Sequence, residues 1–304
     1  MLRSALIKAS ESAALRRAVT RWRLPRSVAM RFVAGDTLDD GLDTSRALVR
    51  AGKTVTLDYL GESVTDADEA RAAAKVYLEA LGRIGQEGFD AGVSVKPTQM
   101  GLEIDRSLCS DLLGEIVDEA GQVGVHVTLD MEDSDVTEAT VALVEELRGA
   151  GHAEVGCAVQ SYMRRTRADI ERLSASGASL RLCKGAYAEP ESVAFQSRDD
   201  VDGSYAECAD YLLAHGTYPR FATHDDRLID HIRNTAVRLE TSRAAFEFQM
   251  LYGVRPSLQD ALVRDGYRMR VYVPFGEQWY PYLMRRLAER PANVAFFLRA
   301  LRDT

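Results

Sequence analysis

After residue 50 the chain repeats one pattern eight times: a short apolar run, then a longer amphipathic stretch. The runs cover 54–59, 93–96, 125–130, 155–161, 180–184, 220–224, 246–251 and 269–273. Each is rich in β-branched or aromatic residues and too brief for a helix, so each reads as a strand. Between them, 66–84, 105–120, 136–148, 165–176, 205–215, 227–239 and 258–265 carry helical periodicity. Asp135, Thr137 with Thr140, and Ser257 stand where N-caps belong, and Gly85, Gly121, Gly177 and Gly216 where helices stop.

Eight strands alternating with helices fit either a (βα)₈ barrel or a doubly wound sheet. The count favours the barrel, and so does a second regularity: Asp58, Lys96, Asp130, Gln160, Lys184, His224 and Tyr272 fall at C-terminal strand ends. A barrel gathers those ends at one mouth, whereas an open sheet disperses them along an edge. No G-x-G-x-x-G follows an early strand, which removes the dinucleotide-binding signature. The expected fold is therefore an α/β barrel over 1–304 as one domain, with an N-terminal helical segment over 1–50. The stretch 278–290 departs from the pattern. It mixes Trp279, Tyr280, Tyr282, Leu283, Met284 and Leu287 with Arg285, Arg286 and Glu289. An outer helix needs one apolar stripe; this composition predicts a helix with contacts on more than one side. A further helix is expected over 293–299.

Charge is distributed unevenly. Residues 1–34 carry eight basic side chains against Glu11 alone, or +7, so a chain of net charge −8 holds −15 in the remainder. Such a segment suits a membrane surface, an organellar transit peptide, or a basic helix on an acidic body, and the last is the expectation. The acidic body and the lack of an aromatic–basic motif exclude nucleic-acid binding. No stretch approaches the roughly 18 apolar residues of a membrane span. Cys109, Cys157, Cys183 and Cys208 are scattered without a C-x-x-C, and read as free thiols in a reducing cytoplasm.

G-x-S-x-G, H-E-x-x-H and H-x-x-E-H are absent, leaving serine-hydrolase and zinc-hydrolase chemistry without support. His224 and His231 with Asp225 and Asp226 could suggest a metal, but Asp226 fits better as an N-cap, and no metal is expected. Lys96, Arg181, Lys184, Arg285 and Arg286 instead place cations near one mouth, with Asp130 and Glu62 as counter-charges. Half-buried cations are costly unless they meet an anion, and paired guanidiniums suit a carboxylate or phosphate. Adjacent helical residues diverge by about 100°, so Arg285 and Arg286 taken alone read as a solvated face. A lysine at a barrel strand end can also form a Schiff base, which keeps a lyase or aldolase using Lys184 or Lys96 as the alternative.

Eight motifs in order, VSVKPTQMG, LDMED, AVQSY, RLCKGAY, ATHDD, EFQMLYG, RVYVPFG and YLMRRLAERPAN, resemble those of the proline dehydrogenase family, monofunctional bacterial members in particular. The likeness runs from about residue 31 to the C-terminus. It implies a distorted (βα)₈ barrel with FAD at the mouth and the final helix packed over it. It also implies oxidation of L-proline to 1-pyrroline-5-carboxylate, with electrons passed to a membrane quinone; peripheral contact of the cytoplasmic chain with the inner face of the membrane is left open. By motif position, Lys96, Arg285 and Arg286 would bind the proline carboxylate, with Tyr272, Tyr187 and Leu251 around the ring. Asp130 would orient the cations and Arg181 would lie beside the flavin. Met131, Gln160, Lys184, Gly185, Ala186, Thr223, His224 and Glu289 would line the cofactor, and Glu62 would act as a gate latching to Arg285. The tyrosine at 272 implies unsubstituted proline rather than hydroxyproline. Pro97 and Cys183 depart from the family pattern.

Overall fold

The structure, a computed structural model, describes residues 29–289, with side chains as far as Met284. Its strands are β1 (Thr54–Tyr59), β2 (Ala91–Val95), β3 (His126–Leu129), β4 (Val155–Gln160), β5 (Ser179–Cys183), β6 (Arg220–Ala222), β7 (Glu247–Leu251) and β8 (Arg268–Phe275). They pair in chain order, all parallel, and β8 returns to β1 from Thr54↔Arg270 to Tyr59↔Phe275, closing the barrel. Helix α1 (Leu38–Arg50) precedes β1. Helices α2 (Ala67–Glu87), α3 (Arg106–Val123), α4 (Ser134–Gly149), α5 (Thr166–Ala175), α6 (Arg198–His215), α7 (Asp226–Arg238) and α8 (Pro256–Arg264) link successive strands. Helix α9 (Trp279–Glu289) follows β8.

Period-2 alternation decides which residues face where. Val55, Leu57, Val93, Val95, Val127 and Leu129 are completely buried and pack with Leu81, Ile84, Leu113 and Ile116 of the helices. Truncating one such side chain costs about 2–5 kcal/mol. The alternate residues, among them Asp58, Ser94, Asp130, Arg181, Arg220, Glu247 and Arg270, are also buried, and bond to one another across the barrel. A barrel interior is ordinarily filled by layers of branched apolar side chains; this one is polar through most of its height.

All eight expected strands exist, and the corrections concern ends. Asp133 caps α4 by accepting from the Asp135 amide at 3.1 Å, in place of Asp135 itself. Asp225, not Asp226, caps α7. Arg255 in the left-handed region precedes Pro256 at the start of α8, so Ser257 is already inside it. The left-handed C-caps are Gly88 and Gly124, one turn beyond Gly85 and Gly121. Helix α6 begins at Arg198, because Ser197 caps it by accepting from the Asp200 amide at 3.1 Å. The acidic first turn hid that start from an apolar-period reading.

The final helix has two-sided surroundings. Trp279, Tyr280, Tyr282, Leu283 and Met284 are buried in a cluster with Ala29, Phe32, Val33 and Leu60, apart from the main core. Much of the 1–50 segment, and the expected helix over 293–299, lie outside the described residues.

Candidate active site

Lys96, one residue past β2, is the hub of the mouth. Its ammonium donates to Asp58 at 2.6 Å and lies 3.4 Å from Asp130 Oδ2. Burial opposes the ammonium charge, but Asp58 and then Asp130 outweigh it and hold Lys96 protonated above its usual range. Asp130, one residue past β3, accepts from Ser94 Oγ at 2.7 Å, from Tyr272 Oη at 2.8 Å and from Arg181 Nη2. Burial alone would raise its carboxyl; Arg181 first and Lys96 next hold it below the usual range. Asp58, the most deeply buried of the group, shifts the other way through desolvation.

Arg181 on β5 reaches across the barrel. Its Nη2 also donates to Ser94 Oγ at 2.8 Å, and its guanidinium lies 5.3 Å from the Tyr272 ring centre. Its Nη1 is buried and has no partner. A buried guanidinium nitrogen left unpaired is costly, and Arg220 Nε shares that condition.

The expected site residues separate into groups. Lys96, Asp130, Arg181 and Tyr272 form one bonded network. Gln160 bonds elsewhere: its Nε2 donates to the Glu132 carbonyl at 2.7 Å, and Gln160 and Met131 line one small cavity. Glu62 lines a second cleft with Lys96, Leu60 and the α9 residues Pro281 and Tyr282. Thr223 Oγ1 accepts from the Asp225 amide at 3.1 Å. His224 Nε2 accepts from the Leu251 amide at 3.0 Å, tying the ends of β6 and β7 together. Gly185, Ala186 and Tyr187 are half-buried in the segment past β5. There Gly185 has φ +109, and a Cβ would lie 2.2 Å from the Tyr162 ring. Only glycine fits that approach. Arg285, Arg286 and Glu289 fall on α9, but their side chains lie outside the described residues, and the Glu62–Arg285 latch with them.

Two expectations about charge need correcting. Lys184 does not share the Asp130 counter-charge; its ammonium pairs with Asp202 on α6 and with Asp225 at 3.1 Å. It stands three residues from Arg181, so alternation sends it to the opposite face. The main counter-charge of Lys96 is Asp58, which was recognised as a strand-end residue but given no role. Glu132 was missed altogether. It is buried, accepts from the Thr98 amide at 3.0 Å and hydroxyl at 2.5 Å, and burial pushes its carboxyl up to about 7. A loop glutamate is normally exposed, so its sequence carried no signal.

Among the described residues no group of three histidine, cysteine or acidic side chains is arranged to hold a metal ion. His224 bonds to Leu251, while His231 Nε2 lies 2.8 Å from Asp210 on α6, so the two histidines have different partners.

The proline dehydrogenase family profile matches residues 41–299. The chain belongs to the proline dehydrogenase family. It is 38% identical over 292 residues to Proline dehydrogenase 2 of Bacillus subtilis (strain 168), covering 96% of each chain. It is 36% identical over 281 residues to Proline dehydrogenase of Deinococcus radiodurans, covering 90% of each. A solved structure of proline utilization A (PutA) from Bdellovibrio bacteriovorus superposes with a TM-score of 0.82 at 26% identity, over 87% of this chain and 33% of that one. This family barrel thus spans about a third of the length of that PutA chain.

Proposed function

We propose that the chain, as one barrel domain over 1–304, oxidises L-proline to 1-pyrroline-5-carboxylate with FAD as the immediate electron acceptor. The observation that carries the reading is the buried network at the strand ends: a lysine held charged at its centre, beside an arginine nitrogen with no partner. The first suits a substrate carboxylate and the second an electron-rich acceptor atom on the cofactor. Arg181, Met131, Gln160, Lys184, Gly185, Ala186, Thr223, His224 and Glu289 would hold FAD. Bound there, it supplies a two-electron hydride acceptor for the ring carbon beside nitrogen, and a quinone would take the electrons onward.

The chain's own residues do the remaining work. Lys96, with Arg285 and Arg286, anchors the carboxylate and so fixes the far end of the ring. Asp130 holds Lys96, Arg181 and Tyr272 in one arrangement, so their charges need no reorganisation as the reaction proceeds. Tyr272, Tyr187 and Leu251 supply ring contact, and Glu62 closes the cleft at the Lys96 side. The amine proton leaves to solvent.

Lys96, held charged by Asp58 and Asp130, is in the wrong state for a Schiff-base nucleophile, which must be neutral, and Lys184 is committed to Asp202 and Asp225. Purified protein should carry a flavin absorbance that bleaches anaerobically on adding L-proline. Colourless protein that borohydride links covalently to a carbonyl substrate would instead establish the lyase.

Delivery of electrons to a membrane quinone would bring a cytoplasmic chain to the inner membrane face, where the +7 segment over 1–34 suits an anionic surface. Among the described residues no helix is long and apolar enough to cross a membrane. Sedimentation with anionic liposomes, with and without residues 1–34, tests that contact.

A further inference from the structure

The segment carrying Glu62 is gripped from behind by residues outside the reaction network. Ser63 has φ +49, in the left-handed region, a strain of order 1–2 kcal/mol for a residue other than glycine. Its amide donates to Thr98 Oγ1 at 2.9 Å. The Thr98 hydroxyl passes the bond on to Glu132 Oε1 at 2.5 Å, and the Thr98 amide donates to Glu132 Oε2 at 3.0 Å. Thr98 and Glu132 are both buried. Glu132 is itself fixed to β4, because its carbonyl accepts from Gln160 Nε2.

The other side of Glu62 is held as well. Gly61 lies so close to Gln99 that an added Cβ would be 2.5 Å from Gln99 Nε2. Gln99 cannot easily withdraw: it donates to the Tyr59 carbonyl at 3.1 Å and accepts from Tyr77 Oη at 3.2 Å. Consecutive residues past β2 therefore flank Glu62: Thr98 is bonded to Ser63, and Gln99 packs closely against Gly61.

We propose that Thr98 and Glu132 are positioning residues, which hold the 60–63 segment so that Glu62 closes over Lys96 and thereby set how tightly the cleft retains its carboxylate substrate. This rests on the reading of the Lys96 cleft as the proline carboxylate site.

Ionised Glu132 accepts from both Thr98 donors; protonation places a hydrogen on one oxygen and weakens its acceptance from Thr98. The charged and titratable groups facing it are Lys96 past β2, Glu62 past β1 and Cys109 on α3. Above about pH 7 the relay is complete, and below it the relay loosens.

The test uses the full chain. Thr98→Val keeps the shape and removes the hydroxyl; Thr98→Ser keeps the hydroxyl. At about pH 8, Thr98→Val should raise KM for L-proline about five- to tenfold with kcat changed less than about twofold, and Thr98→Ser should restore the KM. Hydrogen exchange in peptides spanning 60–65 should be faster in Thr98→Val and unchanged in Thr98→Ser. In the wild type, KM should climb more steeply between about pH 8 and about pH 6 than in Glu132→Gln.

Lys96→Met separates the two ideas. If it weakens saturation while Thr98→Val leaves KM and exchange unaltered, the relay is wrong and the cleft assignment stands. If Lys96→Met leaves saturation unaltered, the cleft assignment fails, and unaltered exchange in Thr98→Val would then discard the loop-holding role too. Should Thr98→Val not fold, equal pH profiles of KM in the wild type and Glu132→Gln overturn the relay.

Discussion

Two arginines inside this barrel are almost equally buried and do different things. Arg270, near the N-terminal end of β8, commits every guanidinium nitrogen: Nε to Glu247 at 2.7 Å, Nη1 to the Val55 carbonyl at 2.6 Å and Nη2 to Asp90 at 2.9 Å. Glu247 also accepts from Gln249 at 2.7 Å and from Tyr218 Oη at 3.1 Å. That lower network ties β7, β8 and β1 together and is spent on structure. Arg181, nearer the mouth, binds Asp130 and Ser94 through Nη2 and leaves Nη1 without a partner. Burial of charge therefore does not by itself mark a working site. Nor does a missing partner alone, since Arg220 Nε in the lower network also lacks a hydrogen-bond partner; what separates Arg181 is its place in the Lys96–Asp130–Tyr272 network.

The comparison can be broken at its structural half first. Glu247→Ala takes the shared carboxylate from Arg220 and leaves Arg270 with only Asp90 and the Val55 carbonyl, and breaking a buried pair costs about 3–5 kcal/mol. Urea titration should show a correspondingly large loss of stability, and a loss under about 1 kcal/mol would mean the lower network is not structural.

The next effect is a pH slope. The folded Glu132 carboxyl lies at about 7, above its ordinary value of 4.5. The folded state therefore prefers the neutral acid. Stability should fall as pH rises from about 4.5 to about 7 and then level off, by on the order of 2–3 kcal/mol. Glu132→Gln should remove that slope in denaturant titrations at a series of pH values. Stability and substrate retention would then run in opposite directions with pH, since the relay to Glu62 is strongest in the ionised form.

Smaller still is Tyr272→Phe. It removes one 2.8 Å bond to Asp130, which keeps Ser94, Arg181 and Lys96. A loss of about 1–2 kcal/mol, or roughly tenfold in kcat/KM for proline, is expected, with melting nearly unchanged. A loss of melting temperature with kcat/KM preserved would place Tyr272 with the structural arginine rather than the working one.

Much of this was legible in the residues. The eight strands followed from short β-branched runs, Lys96, Asp130, Gln160 and Tyr272 stood out by their place at strand ends, and the role of Arg181 came from the family resemblance. The lower network was not read, although Arg220, Glu247 and Arg270 all lie within the expected runs. Distance along the chain conceals that the β7–β8 pairing brings the Glu247 and Arg270 side chains within 2.7 Å on the diagonal. The same blindness applied to Asp58, whose partner Lys96 is 38 residues away. Lys184 pairs with Asp202 and Asp225 rather than Asp130, a partner set that its strand-end position does not disclose. Thr98 and Glu132 gave no signal, being ordinary polar loop residues until the fold brings them together. Helix ends drifted by up to a turn where another aspartate or glycine stood nearby to compete for the cap, and the start of α6 lies seven residues before the expected one.

The most direct test pairs Arg181→Met with Arg270→Met, measuring L-proline turnover per folded molecule for each. Arg181→Met should keep a cooperative fold, since Lys96, Tyr272 and Ser94 still satisfy Asp130, and should lose turnover by about 100-fold. Arg270→Met should lose the fold, and whatever remains folded should turn over normally. Near-normal turnover in folded Arg181→Met would contradict the assignment of the mouth network to the reaction.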